Sequence, residues 1–156
     1  MKKIITSSVL LCSALFVHAD VTLNGVFTDH MILQRDMPVP VYGTAEPGEK
    51  VTVAFSGKEK SVVADKDGNW SVKLDAMKVS TAPAVMTVSG KNKLTLNDIL
   101  MGDIWICSGQ SNMEWVLGAC NRPGDLAQAN VPMIRLYQMR GTAAPTPRTV
   151  FNCMPW

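Results

Sequence analysis

From Val21 to about Leu96, apolar and polar positions alternate in short runs. Val51, Val53 and Phe55 fall on one face of their stretch, and Trp70, Val72 and Leu74 alternate with Ser71, Lys73 and Asp75. Val39 with Val41, and Leu94 with Leu96, keep the same spacing. A period of two is the signature of a strand with one face buried. Turn chemistry separates the runs, in Glu46-Pro47-Gly48-Glu49, Ser56-Gly57-Lys58 and Asp67-Gly68-Asn69, with a positive φ expected at the glycine that follows Asp67. Short strands at this spacing predict an antiparallel β-sandwich over residues 20–97.

Near Asn97 the pattern changes. Ile104-Trp105-Ile106-Cys107 is continuously apolar, as expected of a strand covered on both faces. Ser108 to Asn112 makes a turn, and Met113-Glu114-Trp115-Val116-Leu117 predicts the start of a helix that Gly118 and Pro123-Gly124 interrupt. A further helical turn is expected over 125–129, and Met133 to Met139 alternates again, with Ile134 and Leu136 on one face. Strand, helical crossover and strand make one βαβ unit of a parallel sheet. A single unit cannot bury a sheet on both sides, so residues 98–156 read as the incomplete start of an α/β domain.

The first nineteen residues stand apart. Lys2 and Lys3 precede a mostly apolar run from Ile4 to Val17, and Val17-His18-Ala19 fits a small-residue cleavage site. That is the layout of a signal peptide cleaved after Ala19, and it predicts an exported protein, periplasmic or secreted. Its removal takes two lysines and no acid, leaving equal numbers of acidic and basic residues. A neutral chain without a basic stripe lacks the electrostatic footprint of nucleic-acid binding, and the rest has no apolar run long enough to span a bilayer. Apolar residues make up 47% of the chain and charged ones 18%, a balance that excludes intrinsic disorder. Cys107, Cys120 and Cys153 remain after cleavage, an odd number with no Cys-x-x-Cys spacing, which argues against a zinc site. Cys107 is expected to be a small core residue, while Cys120 and Cys153 are free to pair or not. His30 is the one imidazole left.

Ser111 lies where the expected buried strand turns into a helix. A hydroxyl there projects past the carboxyl end of the sheet, where α/β sites form, and free N–H groups at a helix start can stabilise an oxyanion. Gly109 lets the turn tighten and leaves the approach to Ser111 open. Met113 replaces the second glycine of a Gly-x-Ser-x-Gly elbow, so that motif is absent. The plainer alternative is that Ser111 or Asn112 caps the helix, with Glu114 completing a capping box.

The block Asp103-Ile104-Trp105-Ile106-Cys107-Ser108-Gly109-Gln110-Ser111-Asn112-Met113-Glu114-Trp115 closely resembles the first active-site block of the sialate O-acetylesterase family, within the SGNH hydrolase superfamily. Upstream, Phe27 to Arg35, Pro38 to Gly43, Pro47 to Val51 and Asp67-Gly68-Asn69-Trp70 resemble that family's N-terminal β-domain, and Pro132 to Tyr137 its next core strand. The resemblance implies an all-β sandwich followed by the first βαβ unit of an α/β SGNH-type three-layer hydrolase domain. It implies a serine esterase that removes O-acetyl groups from sialic acid or other acetylated sugars. Ser111 is then the nucleophile and a backbone oxyanion donor, and Gly109, Gln110 and Asn112 shape the loop. No metal or organic cofactor is implied.

The family's catalytic Asp/His blocks have no counterpart in this sequence. A serine hydroxyl needs a base to take its proton, and His30 falls within the sandwich stretch, with Asp29 expected on the opposite strand face. A structural hydrogen bond is the expected role of His30. The chain is therefore expected to be a leading fragment, inactive alone. The alternative reading is a non-catalytic sandwich that binds glycan or supports a catalytic domain.

Overall fold

The computed structural model describes residues 20–139, 145, 146 and 156. The expected signal peptide, Cys153 and most of the Pro-rich stretch after Gly141 lie outside the described residues. Eight strands come first: β1 (Thr22–Leu23), β2 (Ile32–Gln34), β3 (Val39–Thr44), β4 (Lys50–Phe55), β5 (Lys58–Val63), β6 (Asn69–Leu74), β7 (Ser80–Ser89) and β8 (Lys93–Gly102). They form a three-stranded sheet in the order β1-β3-β6 and a five-stranded sheet in the order β2-β8-β7-β4-β5.

Alternation produces the core directly. Trp70, Val72 and Leu74 of β6, Val51, Val53 and Phe55 of β4, and Val39 and Val41 of β3 all point inward and are buried. Met86, Val88 and Ile99 fill the space between the sheets. Burying each side chain of this size contributes roughly 1.5–3 kcal/mol of transfer free energy, which is why so short a stretch sustains two layers.

Local chemistry sets the connections. β4 and β5 pair from Lys50↔Val63 to Phe55↔Lys58, leaving Ser56 (φ 47°) and Gly57 (φ 73°) as a two-residue turn. Positive φ at both positions is the type I′ geometry that matches the strand twist. Gly68 has φ 80°, as expected after Asp67, and a Cβ there would meet the Ala45 carbonyl oxygen at 2.6 Å. Pro40 sits where β3 has β6 as its one partner, since β1 reaches only Gly43 and Thr44; a missing N–H is tolerated at such an edge.

Two features depart from a simple antiparallel sandwich. β2 pairs with β8 in parallel, with Ile32↔Leu100 and Gln34↔Gly102, so both strands deliver the chain to the same end. β8 also continues to Gly102, across the boundary expected at 97/98. Within it the register against β7 slips between Ala84↔Ile99 and Met86↔Leu96. The extra residue is a bulge and includes Asp98, at φ 55°.

Beyond Gly102 the expected βαβ unit is not seen as such. Ile104 to Cys107 forms no strand, and Trp105 and Ile106 are 85% and 92% exposed. A doubly covered strand needs neighbours on both sides, and none stands beside these four among the described residues. Cys107 is correspondingly an exposed free thiol rather than a core residue, and Cys120 is free as well. Met133 to Met139 likewise forms no ladder; one isolated bridge residue falls at Met139. The helix expected from Met113 is reduced to 3-10 turns at Ser111–Glu114 and Leu117–Cys120. A short helix, α1 (Pro123–Ala127), begins at the proline expected to interrupt one, because proline at the first helical position gives up an N–H that would be unpaired anyway.

Candidate active site

Ser111 opens the first 3-10 turn, with Gln110 as its N-cap in extended conformation (φ −105°, ψ −156°). No side chain caps this turn, so neither a Ser111 cap nor a capping box with Glu114 forms. The turn is closed by Met113 N–H donating to Gln110 C=O at 2.9 Å and Trp115 N–H to Asn112 C=O at 3.3 Å. As at any helical start, the N–H groups of Ser111 and Asn112 have no partner within the turn. Gly109, Gln110, Ser111 and Asn112 are all exposed. A Cβ on Gly109 would meet Met113 Cγ at 2.5 Å, so the missing side chain lets Met113 fold back over the loop.

The imidazole lies elsewhere. His30 sits in a turn at φ 67°, not on a strand, so the opposite-face argument for Asp29 does not apply. His30 Nδ1 and Asp98 Oδ2 share a hydrogen bond of 2.6 Å, and Asp29 Oδ1 accepts from Asn97 N–H at 2.6 Å. Among the described residues no hydrogen bond joins His30 to Ser111. The structural role expected of His30 is what the geometry presents. Asp98 is held below the usual carboxylate range by its hydrogen bond to His30, then by Arg135.

Sequence reasoning missed how the Ser111 segment is fastened. At its entry, Arg35 meets both Asp103 oxygens, Nε to Oδ1 at 3.0 Å and Nη2 to Oδ2 at 3.2 Å, while also pairing with Asp36 at 2.7 Å. Asp103 and then Asp36 raise the Arg35 pKa further. Gln34 Oε1 accepts from Ile104 N–H at 2.9 Å. The parallel β2–β8 pairing, invisible to local patterning, brings Gln34 and Arg35 to these long-range contacts. At the exit, Arg135 reaches Asp98 and His30, and Tyr137 Oη donates to Gly25 C=O at 3.3 Å. The charged residue within Ile134-Arg135-Leu136 was the available signal. Between the fastenings lies an apolar recess of about 310 Å³, lined by Phe27, Met31, Leu33, Val39, Tyr42 and Ile104 among others.

Comparison with known proteins gives this arrangement a context. The fold matches the crystal structure of a carbohydrate acetylesterase from Xanthomonas citri with a TM-score of 0.80 and 35% identity, over 85% of this chain and 31% of that one. The sandwich, barely more than half of the chain, cannot supply that coverage alone, so the match extends beyond it. The fold is thus similar to that of a carbohydrate acetylesterase over most of this chain. Among curated proteins, the sialate O-acetylesterase of Pongo abelii is 35% identical over 128 residues, 73% of this chain and 24% of its own length. That of Homo sapiens is 38% identical over 96 residues, 54% of this chain and 18% of its own. No family model matches the chain. Over the stretch they share, the chain is a relative of the sialate O-acetylesterases, and it spans about a quarter or less of their length.

Proposed function

We propose that this chain carries the nucleophile-bearing part of a serine esterase that removes O-acetyl groups from sialic acid or related acetylated sugars. The observation that supports the reading is the extent of the likeness: a solved acetylesterase shares the fold over 85% of this chain at 35% identity, more than the sandwich alone spans. In this reading the sandwich, expected over residues 20–97, runs with β8 to Gly102, and the rest of the expected 98–156 stretch begins an SGNH-type α/β domain. The first nineteen residues direct export to the periplasm or beyond.

Ser111 Oγ attacks the acetyl carbonyl, and the sugar oxygen leaves as an acetyl-enzyme forms. Ser111 N–H lies at the start of its turn, suited to the carbonyl oxygen as charge develops there. Gln110 and Asn112 flank the nucleophile and shape the loop that receives the sugar. The proton on Oγ needs an acceptor, and His30, whose Nδ1 is shared with Asp98 and which makes no hydrogen bond to Ser111 among the described residues, is not assigned that role. The chain alone is inactive in this reading, and the base comes from polypeptide corresponding to the remainder of the relatives.

The test is a chimaera in which residues 20–139 replace the matching part of the Xanthomonas citri acetylesterase. The expected result is acetyl-sugar hydrolysis that Ser111→Ala lowers by roughly 10⁴-fold or more, the scale of losing a catalytic serine. An active chimaera indifferent to Ser111→Ala would overturn the assignment. Ser111-dependent hydrolysis of an aryl acetate by residues 20–156 alone would overturn the absence of a base.

A further inference from the structure

Arg135 makes an unusual set of contacts for a residue in so exposed a segment. Its neighbours Ile134 and Leu136 point to solvent, yet its own side chain is 14% exposed. Nη1 donates to the carbonyl oxygens of His30 at 2.7 Å and Asp98 at 2.5 Å, and Nη2 to Asp98 Oδ1 at 2.9 Å. Three acceptors therefore converge on one planar cation, a geometry that suits a guanidinium and not an ammonium.

All three acceptors belong to the sandwich, which also holds them in place. His30 and Asp98 both take positive φ, uncommon for residues with a side chain, and their carbonyls meet at one nitrogen of Arg135. His30 N–H donates to Asn97 C=O at 3.0 Å, and Leu100 N–H to Met31 C=O at 3.1 Å. The second carboxylate oxygen of Asp98 is occupied by His30 Nδ1, which fixes the first toward Arg135. None of these bonds involves Arg135.

We infer that the His30–Asp98 corner of the sandwich is a guanidinium-binding site, filled in cis by Arg135. Through that plug the sandwich sets the position of the segment carrying Ser111. Arg135 is thus a positioning residue, and the site itself stands whether or not Ser111 is a nucleophile.

The experiment uses the full chain and amide NMR, with guanidinium chloride at sub-denaturing concentration as the probe, and sodium chloride and urea as controls. In Arg135→Ala, guanidinium should shift the His30, Asn97 and Asp98 amides saturably, while neither control does. The wild type, its site filled, should show no saturable shift, and adding Asp98→Asn to Arg135→Ala should abolish the response. The {¹H}–¹⁵N NOE of residues 111–120 should fall in Arg135→Ala and stay low with guanidinium, because the free cation fills the site without tethering the segment. If Arg135→Ala does not fold alone, the same titration is read as refolding. No saturable response, or an equal one in the wild type, overturns the site; an unchanged NOE overturns the positioning role.

Discussion

The stretches on either side of Gly102 are both rich in apolar residues and dispose of them in opposite ways. In β4 and β6 every second residue is apolar, and each strand finds its partners within the same eighty or so residues, so Val51, Val53 and Leu74 are fully buried. In Ile104-Trp105-Ile106-Cys107 the apolar residues are consecutive and stay exposed. Alternation asks for one covering layer, and the opposite sheet supplies it; a continuous run asks for layers on both faces and flanking strands besides. The second stretch is held by polar fastenings at its ends, through Arg35–Asp103 and Arg135–Asp98, rather than by a core of its own.

The largest expected effect lies in the first region. Phe55→Ala removes a fully buried ring from the sandwich centre and should cost about 3–5 kcal/mol, read as a loss of free energy in urea unfolding. A loss well under 1 kcal/mol would mean that the sandwich does not pack as described. Acid should act next, and at the fastenings. The Asp98 pKa is depressed by His30 and Arg135, so its contribution is present above the ordinary carboxylate value of about 4. It is lost as pH falls through the lower folded value. Trp115, whose indole lies in the fastened segment, should therefore change its fluorescence anisotropy below that range and not between pH 5 and 7. The smallest effect belongs to Ile106→Ser, which should leave unfolding free energy within about 0.5 kcal/mol of the wild type, because the side chain is already in solvent. A marked destabilisation would erase the contrast between the two regions.

How much of this was legible depended on whether the information was local. Strands β3, β4 and β6 follow from alternation, and the Asp67-Gly68 turn from the need for a positive φ. β5 was silent because Lys58-Glu59-Lys60-Ser61 faces water along its length, leaving no period to detect. β2 is three residues long and owes its existence to β8, sixty-odd positions away. The strands expected at 104–107 and 133–139 rested on hydrophobicity alone, which specifies a need for cover without supplying it. Ser111 was singled out by its place where an apolar run turns into an expected helix, and the structure puts it at the opening of a 3-10 turn with no capping role. Asp98 carried no pattern and Arg135 only a charge between two apolar neighbours, since their meaning comes from a bulge and a contact that join distant parts of the chain.

The outermost strand β5 carries a consequence of its own. Among the described residues it ends the five-stranded sheet with no strand on its outer side, the kind of margin along which a second molecule can zip on. Lys58, Glu59 and Lys60 line that margin, and a newcomer would have to strip water from each of them in order to dock. Crowded in solution, this molecule should resist stacking sheet upon sheet along β5, and any stickiness it shows should originate from bare apolar residues such as Trp105 and Ile106.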